Sequence, residues 1–210
     1  MDYPAYEGTG ETLHFVPWLP HLATKFLHET LKPTDIVFEW GSGGSTIFFM
    51  KHVLKVISIE HHKEWYRRIR DLTQLMGEFN YKNSDLRFIP PEEGSKVTPQ
   101  MAYNPDNYCC CSTDYTTQRW VKYATVIDLF DNDSLDLIMV DGVARASCVK
   151  HAIPKVKPGG YLMFDNIDDG QYNDICCRFM NNWKRTDFFG DGSYFASDIK
   201  WKTSVWQRPN

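Results

Sequence analysis

The chain has 210 residues, 42% of them hydrophobic and 24% charged, with a formal net charge of −4. That size and composition fit one globular domain with a continuous core, and the negative charge argues against nonspecific attraction to nucleic acid or to an anionic membrane. No apolar run reaches the length of a membrane span, and the opening MDYPAYEGTGE is acidic and polar where a secretion signal is basic and then apolar. Five of the six cysteines fall in two contiguous clusters, Cys109-Cys110-Cys111 and Cys176-Cys177, rather than at the spread spacing of a disulfide framework or the C-x-x-C of a zinc site. A soluble, cytoplasmic chain with reduced thiols is expected.

Residues 1–34 read as a strap followed by a leading amphipathic helix. Trp18, Leu19, Leu22, Phe26, Leu27 and Leu31 recur at near-helical spacing over 17–31, and Pro33 ends the pattern. The next stretch, 35–50, passes from an apolar run (Ile36, Val37, Phe38) to Glu39, then through Gly41-Ser42-Gly43-Gly44-Ser45-Thr46, then back to apolar residues at Ile47, Phe48 and Phe49. This is a strand, a tight loop and a helix, the arrangement that lets a ligand approach bare backbone amides at a helix N-terminus. A second strand, Val56-Ile57-Ser58-Ile59, ends in Glu60, at the spacing where a βαβ nucleotide fold places the acid for ribose hydroxyls. A dinucleotide site carries a third glycine or alanine where this chain has Thr46, and Glu39 would repel a pyrophosphate. The lysine of a P-loop is also missing. A cationic sulfonium and ammonium, by contrast, would be attracted.

The run Glu39-x-Gly41-x-Gly43-Gly44 followed by Glu60 resembles the first two motifs of the class I S-adenosylmethionine-dependent methyltransferases. The resemblance extends over roughly residues 35–166. A helix with Trp65, Ile69, Leu72 and Met76 on one face follows Glu60, and Leu86-Arg87-Phe88-Ile89 forms a third strand stopped by Pro90-Pro91. Residues 91–117 have no period and read as a lid or substrate insertion, with Met101, Tyr103, Tyr108 and Tyr115 to bury. A helix is expected over 118–130. A fourth strand at 135–140 ends in Asp141-Gly142, a helix carries Ala144, Cys148, Ala152 and Ile153, and Lys157-Pro158-Gly159-Gly160 turns into a fifth strand at 161–164 that ends in Asp165-Asn166. The Asp141-Gly142-x-x-Arg145 stretch is close to a subgroup of small methyltransferase-like proteins. A helix with Ile175, Phe179 and Trp183 and two strands at 184–189 and 203–207 complete a single domain.

The resemblance implies an α/β fold, a Rossmann-like doubly wound sheet of seven strands in the order 3-2-1-4-5-7-6, with the last strand antiparallel. It implies S-adenosylmethionine held by Glu39, Gly41, Ser42, Gly43, Gly44, Ser45, Glu60, His61 and Asp141, with Trp65 a possible border of the adenine. Methyl transfer to a small-molecule acceptor, at oxygen, is expected. Asp141 is the candidate base, His151 an outlying one, and Arg145 a candidate for a substrate carboxylate or for a surface ion pair. Asp141, Asp165 and Asn166 further resemble the magnesium ligands of catechol-type O-methyltransferases, although Asp-Gly and Asp-Asn after a strand also cap helices and build turns. Two other classes stay open: a noncatalytic S-adenosylmethionine-binding or scaffold protein, and a nucleotide-dependent enzyme on a similar sheet.

Overall fold

The computed structural model describes residues 16–78, 82–167, 170–191 and 200–210. The expected strap over the first residues, and most of the stretch between the two expected last strands, lie outside the described residues.

The first helix, α1 (His21–Thr30), starts later than the apolar spacing suggests, because Pro20 takes the cap position and the chain cannot wind through two prolines, Pro17 and Pro20. It buries Ala23 and Leu27. Then come β1 (Ile36–Trp40), α2 (Gly44–His52), β2 (Lys55–Glu60), α3 (Lys63–Glu78) and β3 (Ser84–Phe88). The apolar runs of β1 and β2 are continuous because both faces of these strands are covered, as in parallel sheets. Alternation sorts them into two cores. Phe38, Trp40, Ile57, Ile59, Ile138 and Val140 pack on one face, and Val37, Val56, Leu137 and Met139 on the other with Ile47, Phe48 and Phe49 of α2. Glu39, Ser58 and Glu60 therefore fall on the α2 and α3 side, at the carboxyl ends of their strands.

Residues 91–117 form no long element. A two-residue strand, β4 (Glu92–Glu93), pairs antiparallel with β5 (Gln118–Arg119), and two single 3₁₀ turns lie between. The segment is packed down, with Val97, Ala102 and Cys109 buried and Tyr108 Oη 3.1 Å from His151 Nε2. The helix expected over 118–130 is only α4 (Val121–Thr125) and a 3₁₀ turn to Leu129. The Thr125 hydroxyl donates to the Val121 carbonyl at 2.8 Å, a local bond that competes with the helical ladder.

The second half contributes β6 (Leu135–Val140), α5 (Arg145–Ala152), β7 (Val156–Phe164), α6 (Gly170–Phe179), β8 (Lys184–Asp191) and β9 (Lys200–Gln207). The expected Lys157–Gly160 turn is a bulge inside β7. Leu135 pairs with Val156 but Leu137 with Tyr161, and Gly159 takes the slack at φ +74°. The sheet runs β3-β2-β1-β6-β7-β9-β8, with β9 antiparallel to both neighbours. Leaving aside the two-residue pair, that is the order 3-2-1-4-5-7-6. Among the described residues no helix is long and apolar enough to cross a membrane.

Candidate functional site

The strand order reverses between β1 and β6, and in open α/β sheets ligands bind at that point, outside the carboxyl ends. The loop there is built on Glu39. Its carboxylate is fully buried and accepts from the hydroxyls of Ser45 at 2.6 Å, Ser58 at 2.6 Å and Thr46 at 2.5 Å. Burial raises its pKa to about 7 despite those three donors, with the charge of Glu60 adding to the shift. Glu39 is thus the post on which the first turn of α2 is fastened. It lies beneath the loop and not on the cavity wall, so direct attraction of a ligand cation does not belong to it.

Above it the backbone makes a close approach. Gly41 sits at φ +91°, and a Cβ there would lie 3.1 Å from the Asp141 carbonyl carbon and the Gly142 nitrogen. Gly142 in turn leaves room for Tyr123, whose Oη would be 2.0 Å from an added Cβ. Gly43 is different: its φ of 175° is ordinary extended backbone, and a Cβ would meet only Trp65, at 3.9 Å. The first glycine serves the turn, while the second leaves open space facing the cavity.

Glu60, only 2% exposed, closes the second side. Oε2 accepts from the Ser42 amide at 3.1 Å and its hydroxyl at 2.8 Å, and Oε1 from the amides of His61 and His62, each at 2.8 Å. Burial alone would push its pKa up. The bonds from His61, the His62 amide and Ser42 outweigh it and hold the carboxyl below its ordinary value. Each oxygen already has two donors, so a ribose diol would exchange with the Ser42 hydroxyl, the one donor free to rotate.

A cavity of about 380 Å³ opens over this floor. Gly41, Ser42, Gly43, Gly44, Ser45, Glu60, His61 and Asp141, all expected from the sequence, line it together. So do Trp18, His62, Trp65, Tyr115, Met139 and Gly142. Trp18 and Trp65 meet at 5.9 Å between ring centres, and the Trp65 indole donates to the Ser42 carbonyl at 2.6 Å. Across the cavity His61 stands edge-on to Trp120 at 5.2 Å and Tyr115 at 6.0 Å. Tyr115 comes from the aperiodic segment and Trp18 from just before α1. Neither has a local motif, and their aromatic character was the only signal available.

The ends of β6 and β7 are organised differently. Arg145 donates through Nε to the Gly142 carbonyl at 2.8 Å, through Nη1 to the Asp165 carbonyl at 2.5 Å, and through Nη2 to the Asp141 carbonyl at 3.0 Å and to Asp141 Oδ1 and Asn166 Oδ1 at 3.3 Å each. Its ring-facing side lies over Phe164. Arg145 is therefore a clamp between two strand ends rather than a substrate-binding group, and it is not among the residues lining the cavity. Asp141 does face the cavity. Burial pushes its pKa well above the usual carboxylate range, helped by the charge of Asp165 and opposed by Arg145.

The magnesium expectation does not fit this geometry. A guanidinium already reaches Asp141 and Asn166, where a divalent ion would have to sit. The Asp165 carboxylate is buried and accepts from the Thr203 hydroxyl, while Asn166 is exposed at φ +51°. Among the described residues no group of three or more His, Cys, Asp or Glu side chains is placed to hold a metal. His151 lies away from the cavity, between Asp128 and Tyr108.

No protein-family model and no curated protein sequence matches the chain. Many solved structures share its fold. A candidate methyltransferase from Streptococcus mutans, in complex with SAH, superposes with a TM-score of 0.55 at 12% identity, over 89% of this chain and 96% of that one. A candidate O-methyltransferase from Klebsiella pneumoniae gives 0.58 at 14% identity over 90% and 79%. The m1A22 tRNA methyltransferase TrmK of Bacillus subtilis gives 0.54 at 9% identity over 89% and 65%. The likeness is one of fold, and it spans methyltransferases whose acceptors differ.

Proposed function

We propose that the chain is an S-adenosylmethionine-dependent methyltransferase acting on a small-molecule acceptor, at oxygen. The observation that carries this reading is the cavity over the glycine loop, which has two carboxylates, Glu60 and Asp141, and, among the described residues, no lysine or arginine in its lining. Such a wall favours a sulfonium and an ammonium and opposes a pyrophosphate or a polynucleotide backbone. The charge argument made for Glu39 in the sequence thus passes to Glu60, whose pKa is held low, since Arg145 offsets the charge of Asp141. Its volume is in the range of small-molecule sites, and its aromatic residues Trp18, Trp65, His61 and Tyr115 offer faces for a purine.

S-adenosylmethionine supplies an electrophilic methyl on a good leaving group, so the residues of the chain have two tasks, alignment and proton removal. Glu60 would hold the ribose hydroxyls, with Ser42 yielding its place. Gly43 and Gly44 leave the space, while the Ser42 and Gly43 amides hold Glu60 and Thr46 in place. Asp141 stands at the cavity floor with a raised pKa and its carboxylate oriented by Arg145, which suits it to take the proton of an acceptor hydroxyl.

Titrating S-adenosylhomocysteine against tryptophan fluorescence tests the reading, since Trp18 and Trp65 line the cavity. Glu60→Ala should weaken binding by roughly 1.5 to 3 kcal/mol, the scale of hydrogen bonds to a charged group. Unchanged affinity in that variant would remove Glu60 from the site.

A further inference from the structure

Ser42 is held at all three of its polar groups, and each partner comes from the junction of β2 and α3. Its amide and hydroxyl donate to Glu60 Oε2 at 3.1 Å and 2.8 Å, and its carbonyl accepts from the Trp65 indole Nε1 at 2.6 Å. The junction is closed on itself. The amides of His61 and His62 donate to Glu60 Oε1 at 2.8 Å each, and the Trp65 amide donates to His62 Nδ1 at 3.3 Å. Trp65 is half-buried in the first turn of α3, packed on Trp18 at 5.9 Å between ring centres, with the Arg68 guanidinium 6.0 Å from its ring centre. The peptide between Ser42 and Gly43 is gripped at both ends, its carbonyl by Trp65 and its amide by Thr46 Oγ1 at 3.0 Å.

Granted that Glu60 takes the ribose hydroxyls of the cofactor, the reading on which this rests, we propose that Trp65 is the positioning residue for that contact. Each Glu60 oxygen already has two donors, so a ribose diol enters only where one of them leaves, and the Ser42 hydroxyl is the donor that turns about a single bond. Once it has turned away, Ser42 is held by its amide on Glu60 and by its carbonyl on Trp65. These two bonds fix the planar peptides on either side of the Ser42 Cα. The indole N–H therefore keeps the Ser42 amide on Oε2 while the hydroxyl gives way to the ligand, and Glu60 stays aimed at the diol without further ordering.

Trp65 thus has two separable parts. Its ring lines the cavity, where a Cβ on Gly43 would lie 3.9 Å from it, and offers apolar area to any planar base. Its N–H points away from the ligand, to the Ser42 carbonyl, and acts on the ribose hydroxyls only through Ser42 and Glu60. Loss of ring area weakens a nucleoside with or without its hydroxyls. Loss of the N–H weakens the nucleoside that carries them and leaves the other unchanged, because a carbonyl without its donor turns the loop peptide away from Glu60.

The test needs no methyl acceptor. Adenosine and dideoxyadenosine, which lacks both ribose hydroxyls, are titrated calorimetrically into the full chain. The wild type should bind adenosine at least about tenfold more tightly, the scale of hydrogen bonds to a charged group. In Trp65→Phe, which keeps a ring and removes the N–H, the preference should shrink to about threefold or less, and in Glu60→Ala it should vanish. Ser42→Ala removes the competing hydroxyl but keeps the amide and carbonyl, so its preference should equal or exceed that of the wild type. A wild type without any preference would remove the ribose from Glu60 and take the inference with it. A wild-type preference that persists in Trp65→Phe, or an equal weakening of both nucleosides there, would overturn the inference alone. So would a smaller preference in Ser42→Ala, whether or not Trp65→Phe folds; Trp65→Leu gives the same ratio to read if it does not.

Discussion

Two groups of acids stand at the ends of neighbouring strands on the same sheet edge and are held in different ways. At the ends of β1 and β2 neither acid meets a lysine or arginine among the described residues: Glu39 accepts from the hydroxyls of Ser45, Thr46 and Ser58, and Glu60 from Ser42 and the amides of His61 and His62, with the His61 ring 3.2 Å from Oε1. At the ends of β6 and β7, Asp141 and the Asp165 carbonyl share a cation, Arg145. Hydroxyl and amide donors organise the loop around both acids, and of the two only Glu60 reaches the cavity with its charge. A guanidinium in the same place cancels the charge and fills the position a metal ion would need. Similar strand-end carboxylates therefore make a ligand cradle on one side and a closed clamp on the other.

Breaking the clamp should have the largest effect. Arg145→Ala leaves the Gly142, Asp141 and Asp165 carbonyls without their donor and Asp141 without its cation, and should destabilise the fold by roughly 2 to 3 kcal/mol, as measured by urea unfolding. A cost below about 1 kcal/mol would make Arg145 a surface residue in energetic terms.

On the loop side the next largest effect is one of pH. The pKa of Glu39 rises from 4.5 in the unfolded chain to about 7 in the folded one, so between those values the folded state holds more protons than the unfolded state. Its contribution to stability is complete below the lower value and is lost as the pH rises through the upper one. The stability of the wild type, less that of Glu39→Gln, should fall across that window; a difference that stays flat or rises would mean that Glu39 ionises freely in the fold.

The two glycines sharpen the comparison further. Gly41→Ala must hold a side chain at φ +91° against the 141–142 peptide and should cost about 1 to 3 kcal/mol of stability. Gly43→Ala should change stability by less than about 0.5 kcal/mol, and any loss of S-adenosylhomocysteine binding in it reports ligand volume alone. Equal melting shifts in the two variants would mean that both glycines serve only the turn.

Much of this was readable in the sequence because it is periodic. Apolar strands alternating with helical spacing marked the elements, the resemblance to the methyltransferases implied the order of the sheet, and the distance from Gly41 to Glu60 placed an acid beside the loop. What periodicity does not carry was misread or missed. Nothing local says that Glu39 turns under the loop while Glu60 borders the cavity, since that depends on which hydroxyls the next strand and helix bring beneath it. Nor does the sequence say which glycine has positive φ. Arg145 looked available for a substrate because three of its acceptors are backbone carbonyls, invisible as side-chain chemistry, and Asp141, Asp165 and Asn166 looked like a metal site because their residue types matched the resemblance, while the Thr203 and Arg145 partners come from elsewhere in the chain. Trp18 and Tyr115 reach the cavity from segments without a repeat.

The central claim is that the cavity over Gly41 to Ser45 binds the adenosyl sulfonium cofactor through Glu60 without help from a divalent ion. Calorimetric titration of the purified chain with S-adenosylmethionine, S-adenosylhomocysteine and NAD, each with magnesium and with chelator, tests it directly. Saturable one-site binding of the first two, the same in magnesium and in chelator, with no heat from NAD, is the predicted result. Tighter binding of NAD, or binding of S-adenosylmethionine only when magnesium is present, would contradict it.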